Sequence, residues 1–363
     1  MNRYQTTTLL RMNILRVRGQ NGFASITSLF EVLLIGLVVW AALLAISTMQ
    51  FSDNALTSAD ASRVVQPILQ LTVTSNGQQL WSQLGTSEIV SVDLATRRTQ
   101  SIYRRNSRVI GNWCVSQDGA TFLLSNDGHD VQIIRDRELV VSEHLLAPTS
   151  PLIALSSNGQ GAIRISGGTA ARYWDLSSDE PLESDFELLE SALKIALDSL
   201  GNKLAVWGSQ GGLHIYELKT DVPVRRLAEN TSLSNAPVFS TDGNWLAVVR
   251  GLAFTLFDVH SGEIAWTVHI PGPDPFFSVA FSPDGKWIAA SGFTAGIQIF
   301  DRSNGELHRK LPSVSTVHRI AFSLTNDTLY SGCTDGSIRI WSLSDGQEVE
   351  RLNLFGETRK NEK

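Results

Sequence analysis

The sequence predicts an all-β fold: a seven-bladed β-propeller of four-stranded blades, preceded by one N-terminal transmembrane helix. Three observations lead there. A tight polar turn recurs seven times at a near-constant interval. A second motif, an aromatic or aliphatic residue followed by an acid, recurs in step with it. One long apolar run lies near the N-terminus.

The turn carries the repeat. It sits in the stretches TVTSNGQQLWS, CVSQDGATFLL, ALSSNGQGAIR, ALDSLGNKLAV, VFSTDGNWLAV, AFSPDGKWIAA and AFSLTNDTLYS. The turn position falls at Gly77, Gly119, Gly159, Gly201, Gly243, Gly285 and Asp327, at steps of 42 residues with a single step of 40. Self-similarity at such a period is the mark of a repeat architecture. Asn-Gly and Asp-Gly suit hairpins because both central residues can take positive φ.

The second motif gives an independent register. About fifteen residues after each turn come Val92-Asp93, Ile134-Arg135, Trp174-Asp175, Tyr216-Glu217, Phe257-Asp258, Phe300-Asp301 and Trp341-Ser342. Each closes a short alternating segment such as GIQIFD or GSIRIWS. Alternation puts Ile297 with Ile299, and Ile338 with Ile340, on one face of a strand. A further turn and a last strand, such as ELHRKL, complete each unit. Four short strands in about 42 residues read as one propeller blade. A lone blade cannot bury its faces, so neighbours must stack and the ring must close. The propeller is expected over residues 65–354, with a polar tail at 355–363.

The apolar run VLLIGLVVWAALLAI starts at Val32. Extended to Leu29 and Phe51 it is long enough to span a bilayer as a helix. Residues 29–51 are therefore read as the transmembrane helix, 1–28 as a basic cytoplasmic tail and 52–64 as a linker. Arg3, Arg11, Arg16 and Arg18 all precede the run, and no acid does so before Glu31. Positive charge stays on the cytoplasmic side, so the N-terminus is expected inside and the propeller extracytoplasmic. The alternative is a signal peptide cleaved near Ala45-Ile46-Ser47, which would leave a secreted or periplasmic propeller.

The units AFSPDGKWIAASG…GIQIFD and SLTNDTLYSGCTDGSIRIWS resemble the WD-repeat (WD40) family. The resemblance covers about residues 65–354. It implies a propeller that holds protein partners without catalysis. It also implies structural roles for the signature residues Trp174, Asp175, Asp258, Asp301, Asp335 and Trp341. The sequence departs from the family pattern in two ways. The Gly-His dipeptide that opens many family repeats is absent, and the turn Asp before the third strand survives at Asp335, with Asp127 as a second candidate. The family's Asp–His–Ser/Thr–Trp network is then not available as a set, and hydrophobic packing between blades is expected to carry stability. Ring closure has two solutions: EVERLN at 348–353 is the last outer strand, or residues 58–66 donate a strand beside it.

Chemistry is sparse. Hydrophobic residues make up 42% of the chain and charged residues 18%, the balance of a globular protein. Cys114 and Cys333 lie too far apart for a Cys-x-x-Cys site and read as small buried hydrophobes. The seven histidines form no His-x-His or H-E-x-x-H pattern, so no metal or cofactor is expected. The net charge of −6 despite a basic N-terminus argues against nucleic acid as a partner. FDVHSGEIAWTV resembles a quinoprotein-type repeat through Gly262 and Trp266, but only this unit has the Trp, which favours a packing role. Trp245 and Trp287 read the same way.

Function on a rigid scaffold concentrates in its loops. The connections into first strands and the turns between second and third strands share one rim. HIPGPDPFF, with Asp274, Phe276 and Phe277, is the longest of them, and Phe293, His318 and Asn126 are expected beside it. Two charge clusters, TRRTQSIYRRNSR and SSDEPLESDFELLE, fall on outer strands and read as edge protection. The expected function is a membrane-anchored, non-catalytic protein–protein interaction scaffold acting through these rim loops, with a monomeric propeller. Two alternatives stay open: a catalytic or ligand-binding propeller of lactonase or quinoprotein type with its site at the channel mouth, and an envelope-assembly scaffold.

Overall fold

The computed structural model describes residues 68–354 apart from 69, 75–76, 85–87, 105–109, 127–129, 137, 146–150, 167, 221–223, 229–234, 251, 270–275, 293–295 and 314. The expected tail, transmembrane helix and linker, residues 1–64, lie outside the described residues, as do 58–66 and 355–363. Among the described residues no helix is long and apolar enough to cross a membrane.

Among the described residues, twenty-eight strands form seven four-stranded antiparallel sheets, each in sequence order. Blade 1 is β1 (Leu71–Val73), β2 (Gln79–Leu84), β3 (Glu88–Asp93) and β4 (Thr99–Arg104). Blade 2 is β5 (Ile110–Val115), β6 (Thr121–Asn126), β7 (Asp130–Arg135) and β8 (Glu138–His144). Blade 3 is β9 (Leu152–Leu155), β10 (Gly161–Ile165), β11 (Ala170–Asp175) and β12 (Leu182–Glu187). Blade 4 is β13 (Ala192–Leu197), β14 (Lys203–Gly208), β15 (Leu213–Glu217) and β16 (Arg225–Ala228). Blade 5 is β17 (Val238–Phe239), β18 (Trp245–Arg250), β19 (Ala253–Asp258) and β20 (Ile264–His269). Blade 6 is β21 (Phe276–Phe281), β22 (Trp287–Gly292), β23 (Ile297–Asp301) and β24 (Leu307–Leu311). Blade 7 is β25 (Val317–Phe322), β26 (Thr328–Cys333), β27 (Ser337–Ser342) and β28 (Glu348–Asn353). The first strands of neighbouring blades touch, so they surround the central channel. Fourth strands such as β12 and β20 face solvent.

Both sequence registers fall on real features. Every signature pair closes the third strand of its blade. The signature acids Asp93, Asp175, Asp258 and Asp301 accept backbone N–H groups two or three residues on, which fixes the turn into the fourth strand. The seven first turns are built around a left-handed residue, and six are glycines, for which that conformation carries no Cβ penalty. The seventh corrects the sequence reading: Asn326 takes the left-handed position (φ 58°), not Asp327. Asparagine tolerates that region. The Asp327 carboxylate instead accepts the hydroxyls of Ser323, Thr325 and Thr328, at 2.9, 2.5 and 2.9 Å.

The turns share a second device. Ser116, Ser156, Ser240, Ser282 and Ser323 each accept the N–H of the residue five positions on, at 2.8–3.1 Å. Four of these hydroxyls donate to an Asp or Asn two residues on, which orients them. These five turns therefore have the same length.

The core lies between blades. Seven apolar clusters fill the seven interfaces, the last uniting Tyr330, Ile338 and Ile340 of blade 7 with Leu71, Val73, Leu80 and Val92 of blade 1. That cluster joins the last blade to the first. EVERLN is β28, the outer strand of its own blade, paired to β27. The ring joins by packing and by Ile68, whose N–H reaches the Cys333 carbonyl at 3.2 Å. Arg97 in blade 1 adds an ion pair to Glu350 of β28.

The single tryptophans act as packing groups. Trp266 meets the Phe254 ring edge-on, and its indole N–H donates to the Arg302 carbonyl in the next blade at 2.8 Å. Trp287 stacks on His308 with centroids 4.1 Å apart, and Arg302 lies over Trp245. Cys333 is buried, Cys114 is partly buried, and both are free thiols.

Candidate functional site

The two mouths of the channel are built differently. At one, the first turns of successive blades are joined directly. Gln117 N–H donates to the Ser157 carbonyl (2.7 Å) and Asn158 N–H to the Ser199 carbonyl (3.0 Å). The Ser199 hydroxyl donates to the Thr241 carbonyl (2.6 Å), and Asp284 N–H to the Asn326 side chain (3.3 Å). The collar and the adjoining first strands line a cavity of about 340 Å³. Its walls are aliphatic and aromatic groups with hydroxyls and one amide, among them Thr72, Gln117, Ser157, Ser240 and Phe281. None of the lining side chains ionises near neutral pH, so the lining offers no proton donor or acceptor for general acid–base chemistry.

The opposite mouth is formed by the connections into first strands and the turns between second and third strands. Here the first strands carry β-bulges, between Ile110 and Trp113, Ala192 and Lys194, Phe276 and Ser278, and Val317 and Arg319. A bulge leaves a residue out of the ladder and re-aims its side chain. The bulged residues are Gly111 with Asn112, then Leu193, Phe277 and His318. They occupy one level of the rim. The Asn112 amide donates to the Pro151 carbonyl of the next blade at 3.5 Å, and the Asn235 amide donates to the Phe277 carbonyl. The Phe277 and His318 rings lie 5.8 Å apart. Burial, with the positive Arg319 beside it, holds the His318 imidazole below its ordinary pKa. Its Nε2 lies 3.4 Å from the Thr334 hydroxyl.

The sequence-predicted rim residues divide. Phe277 and His318 meet at the rim, half-buried. Phe276 does not present its ring there: it is fully buried among Phe254, Phe300 and Val279, because the bulge turns it into the interface between blades 5 and 6. Asn126 ends β6 on the same rim, opposite Asp130. Asp274 and Phe293 lie outside the described residues.

The signature residues hold the blades. The Trp341 indole N–H donates to the Ser331 hydroxyl at 2.8 Å. Asp335 accepts from the Ser337 hydroxyl and from Arg339, at 2.5 and 2.6 Å. The Trp174 indole N–H instead donates to Glu183 (3.0 Å).

Two polar sets between blades were not anticipated. Glu143 of β8 grips Arg164 of β10 through two 2.7 Å bonds and reaches Arg172 of β11, which also holds Asp185. In the connection between blades 3 and 4, buried Glu190 accepts the N–H groups of Gln210 and Gly212 and lies 2.9 Å from His214 Nε2. Gly208 and Gly212 make room: a Cβ on either would lie 2.0 or 2.2 Å from a Glu190 atom. A signal existed. Two positions before each signature pair's first residue stand Val90, Gln132, Arg172, His214, Thr255, Gln298 and Arg339, and all but the first are polar. A polar side chain there, on a buried strand, implies a partner.

Comparison with known proteins follows this geometry. The model "WD domain, G-beta repeat" (WD40) matches residues 265–301 and 305–342, so each match runs from an outer strand through the three inner strands of the next blade. COMPASS component SWD3 of Saccharomyces cerevisiae is 27% identical over 118 residues, 32% of this chain and 38% of that protein. Small ribosomal subunit protein RACK1 of Trypanosoma brucei brucei is 35% identical over 79 residues, 20% of this chain and 24% of that protein. These alignments span less than half of either relative. Among solved structures, the β-propeller domain of Myceliophteria thermophila Cps50 (Swd1) superposes with a TM-score of 0.63 at 18% identity, covering 80% of this chain and 100% of that one. That likeness is one of fold.

Proposed function

We propose that this chain, a seven-bladed propeller carrying WD40 repeats, is a non-catalytic scaffold. It holds a protein partner on the rim of bulged first strands, and the apolar segment 29–51 fixes it to a membrane. The observation that carries the reading is the contrast between the mouths. One is stitched turn to turn around a lining without ionisable groups. The other displays Leu193, Phe277 and His318 on rigid strands. Rigid aromatics on a fixed scaffold are common anchors of interfaces. The relatives support the same reading, since COMPASS component SWD3 and small ribosomal subunit protein RACK1 are both named as parts of larger assemblies.

The membrane part of the proposal rests on the sequence: a run long enough to span, preceded by four arginines. It places the propeller on the extracytoplasmic side. Protease added to intact cells should digest the propeller as it digests an exported control domain; protection of the propeller would overturn the topology. Purification of the full chain in mild detergent should bring a protein partner with it, and Phe277→Ala with Leu193→Ser should release that partner. A partner indifferent to both substitutions would move the site elsewhere.

A further inference from the structure

We infer that the rim of bulged first strands takes an acidic peptide segment in which carboxylates alternate with apolar residues. The inference rests on the scaffold reading above and names the chemistry of its partner.

The argument starts from an imbalance of partners. Among the described residues, every carboxylate at that rim is already engaged. Asp130 meets His144 at 2.7 Å, Glu187 accepts the Thr169 hydroxyl, and Asp335 holds Arg339. Glu190 is consumed by two amides and His214, and Glu88 also has a partner. Three cations at the same rim are not so engaged. Lys194 follows the bulge of β13, Arg250 ends β18 at the turn into β19, and Arg319 follows the bulge of β25. None meets a carboxylate among the described residues. The Arg319 guanidinium donates to the neighbouring His318 carbonyl at 2.9 Å, and burial holds its pKa below the ordinary guanidinium value. A desolvated cation without an anion is costly unless a ligand supplies one. The described first strands contain no carboxylate at all.

The surface between these cations is apolar. Leu189, Leu193 and Leu252 are 66, 44 and 43% exposed, and Phe277 stands beside His318 on the same rim. This mixture separates peptide from other anions. Nucleic acid calls for many clustered cations along a phosphate chain. An anionic membrane surface calls for a polybasic cluster of about 4–8 Lys or Arg. Three separated cations set among leucines match instead a segment that offers a carboxylate every few residues and an aliphatic side chain between. Arg binds a carboxylate through two parallel N–H bonds, which would fix the segment's register at blade 7.

The test is a selection from a random peptide display library on the full chain in detergent, with sequencing of the enriched peptides. Enriched peptides should be acidic and carry leucine or aromatic residues. Replacing their Glu by Gln should weaken binding by about tenfold or more, as should R319Q combined with K194Q and R250Q, and salt should weaken it further. Each cation is also replaced singly, so that a variant that fails to fold leaves two others to read. Enrichment of neutral or basic peptides, or no enrichment, overturns the inference. Peptides released by L189S with L193S but indifferent to the charge substitutions overturn acidic recognition and leave the rim as the binding face. Peptides indifferent to both sets overturn both readings. Binding of phosphatidylserine vesicles that depends on the three cations, with no acidic peptide enriched, assigns the charge to lipid and overturns the inference.

Discussion

The Ile68 side chain occupies the space a Cβ would need at Gly332: a methyl built there would lie 2.4 Å from Ile68. Ile68 is fully buried and its N–H reaches the Cys333 carbonyl. A residue three positions ahead of the first strand thus fills a gap in the last blade. Gly332→Ala forces the two apart, whereas Ile68→Ala empties the gap. Ile68→Ala should cost about 2–5 kcal/mol in urea unfolding, the usual range for a truncated core aliphatic. A midpoint equal to that of the parent chain would show that the ring closes without it.

Glu190 satisfies two backbone N–H groups and contacts His214 in a site closed to solvent. Glu190→Ala leaves those donors bare, and each bare buried donor costs about 1–3 kcal/mol. The expected loss is therefore larger than for Glu190→Gln, which keeps an acceptor. Equal losses for the two variants would reject the hydrogen-bonding account. Amide exchange at Gln210 and Gly212 should rise in the alanine variant.

Asn326 is the only turn-position residue of its kind that is not glycine. Asn326→Gly should be neutral or slightly stabilising, and Asn326→Ala should cost about 1 kcal/mol, the penalty for a Cβ in the left-handed region. Asp327→Asn, which the sequence alone would have paired with that role, should act through the three hydroxyls it now accepts. Thermal unfolding of the three variants orders them.

Acid should loosen the blades. The Thr96 N–H holds the Asp93 carboxyl below the ordinary aspartate range, as the Ser261 N–H does for Asp258 and the Ser303 hydroxyl for Asp301. The Thr325 hydroxyl does the same for Asp327. The folded chain then binds these protons less readily than the unfolded chain. Their contribution is complete above the ordinary value near 4 and is lost as pH falls through the lowered folded values. Urea midpoints should stay level from pH 7 to about 5 and drop below about 4. Asp301→Asn should shrink that drop; an unchanged acid limb would sink the assignment.

Much of the fold was legible. Gly285 and its equivalents mark turns whose length is set by a side-chain oxygen five residues before the strand resumes, a Ser hydroxyl in five turns, Thr74 and Asp198 in the others, so the turn had to recur in the sequence. Trp341 and Phe300 mark third strands because that position is buried against a neighbouring blade. The rim was less legible. Phe276 and Phe277 look alike in sequence, and a one-residue bulge decides which is buried. Glu190 and His214 sit 24 residues apart, and no spacing rule joins them. The polar residue on six of the seven third strands announced a partner, but its identity depends on the neighbouring blade.

The collar of turn-to-turn bonds also decides where this chain can change length. Among the described residues, the first turns of blades 2, 3, 4 and 6 are each tied to the next, so an extra residue at Ser199 would break bonds to Asn158 on one side and Thr241 on the other, and one at Gln117 would break its bond to Ser157. The connections at the other mouth already differ in length from blade to blade. Foreign segments inserted near 270–275 should leave the seven-fold frame intact, and the same segments at 117–119 should not. One face of the disc is thereby closed to lengthening, while the other can be extended blade by blade to suit new partners.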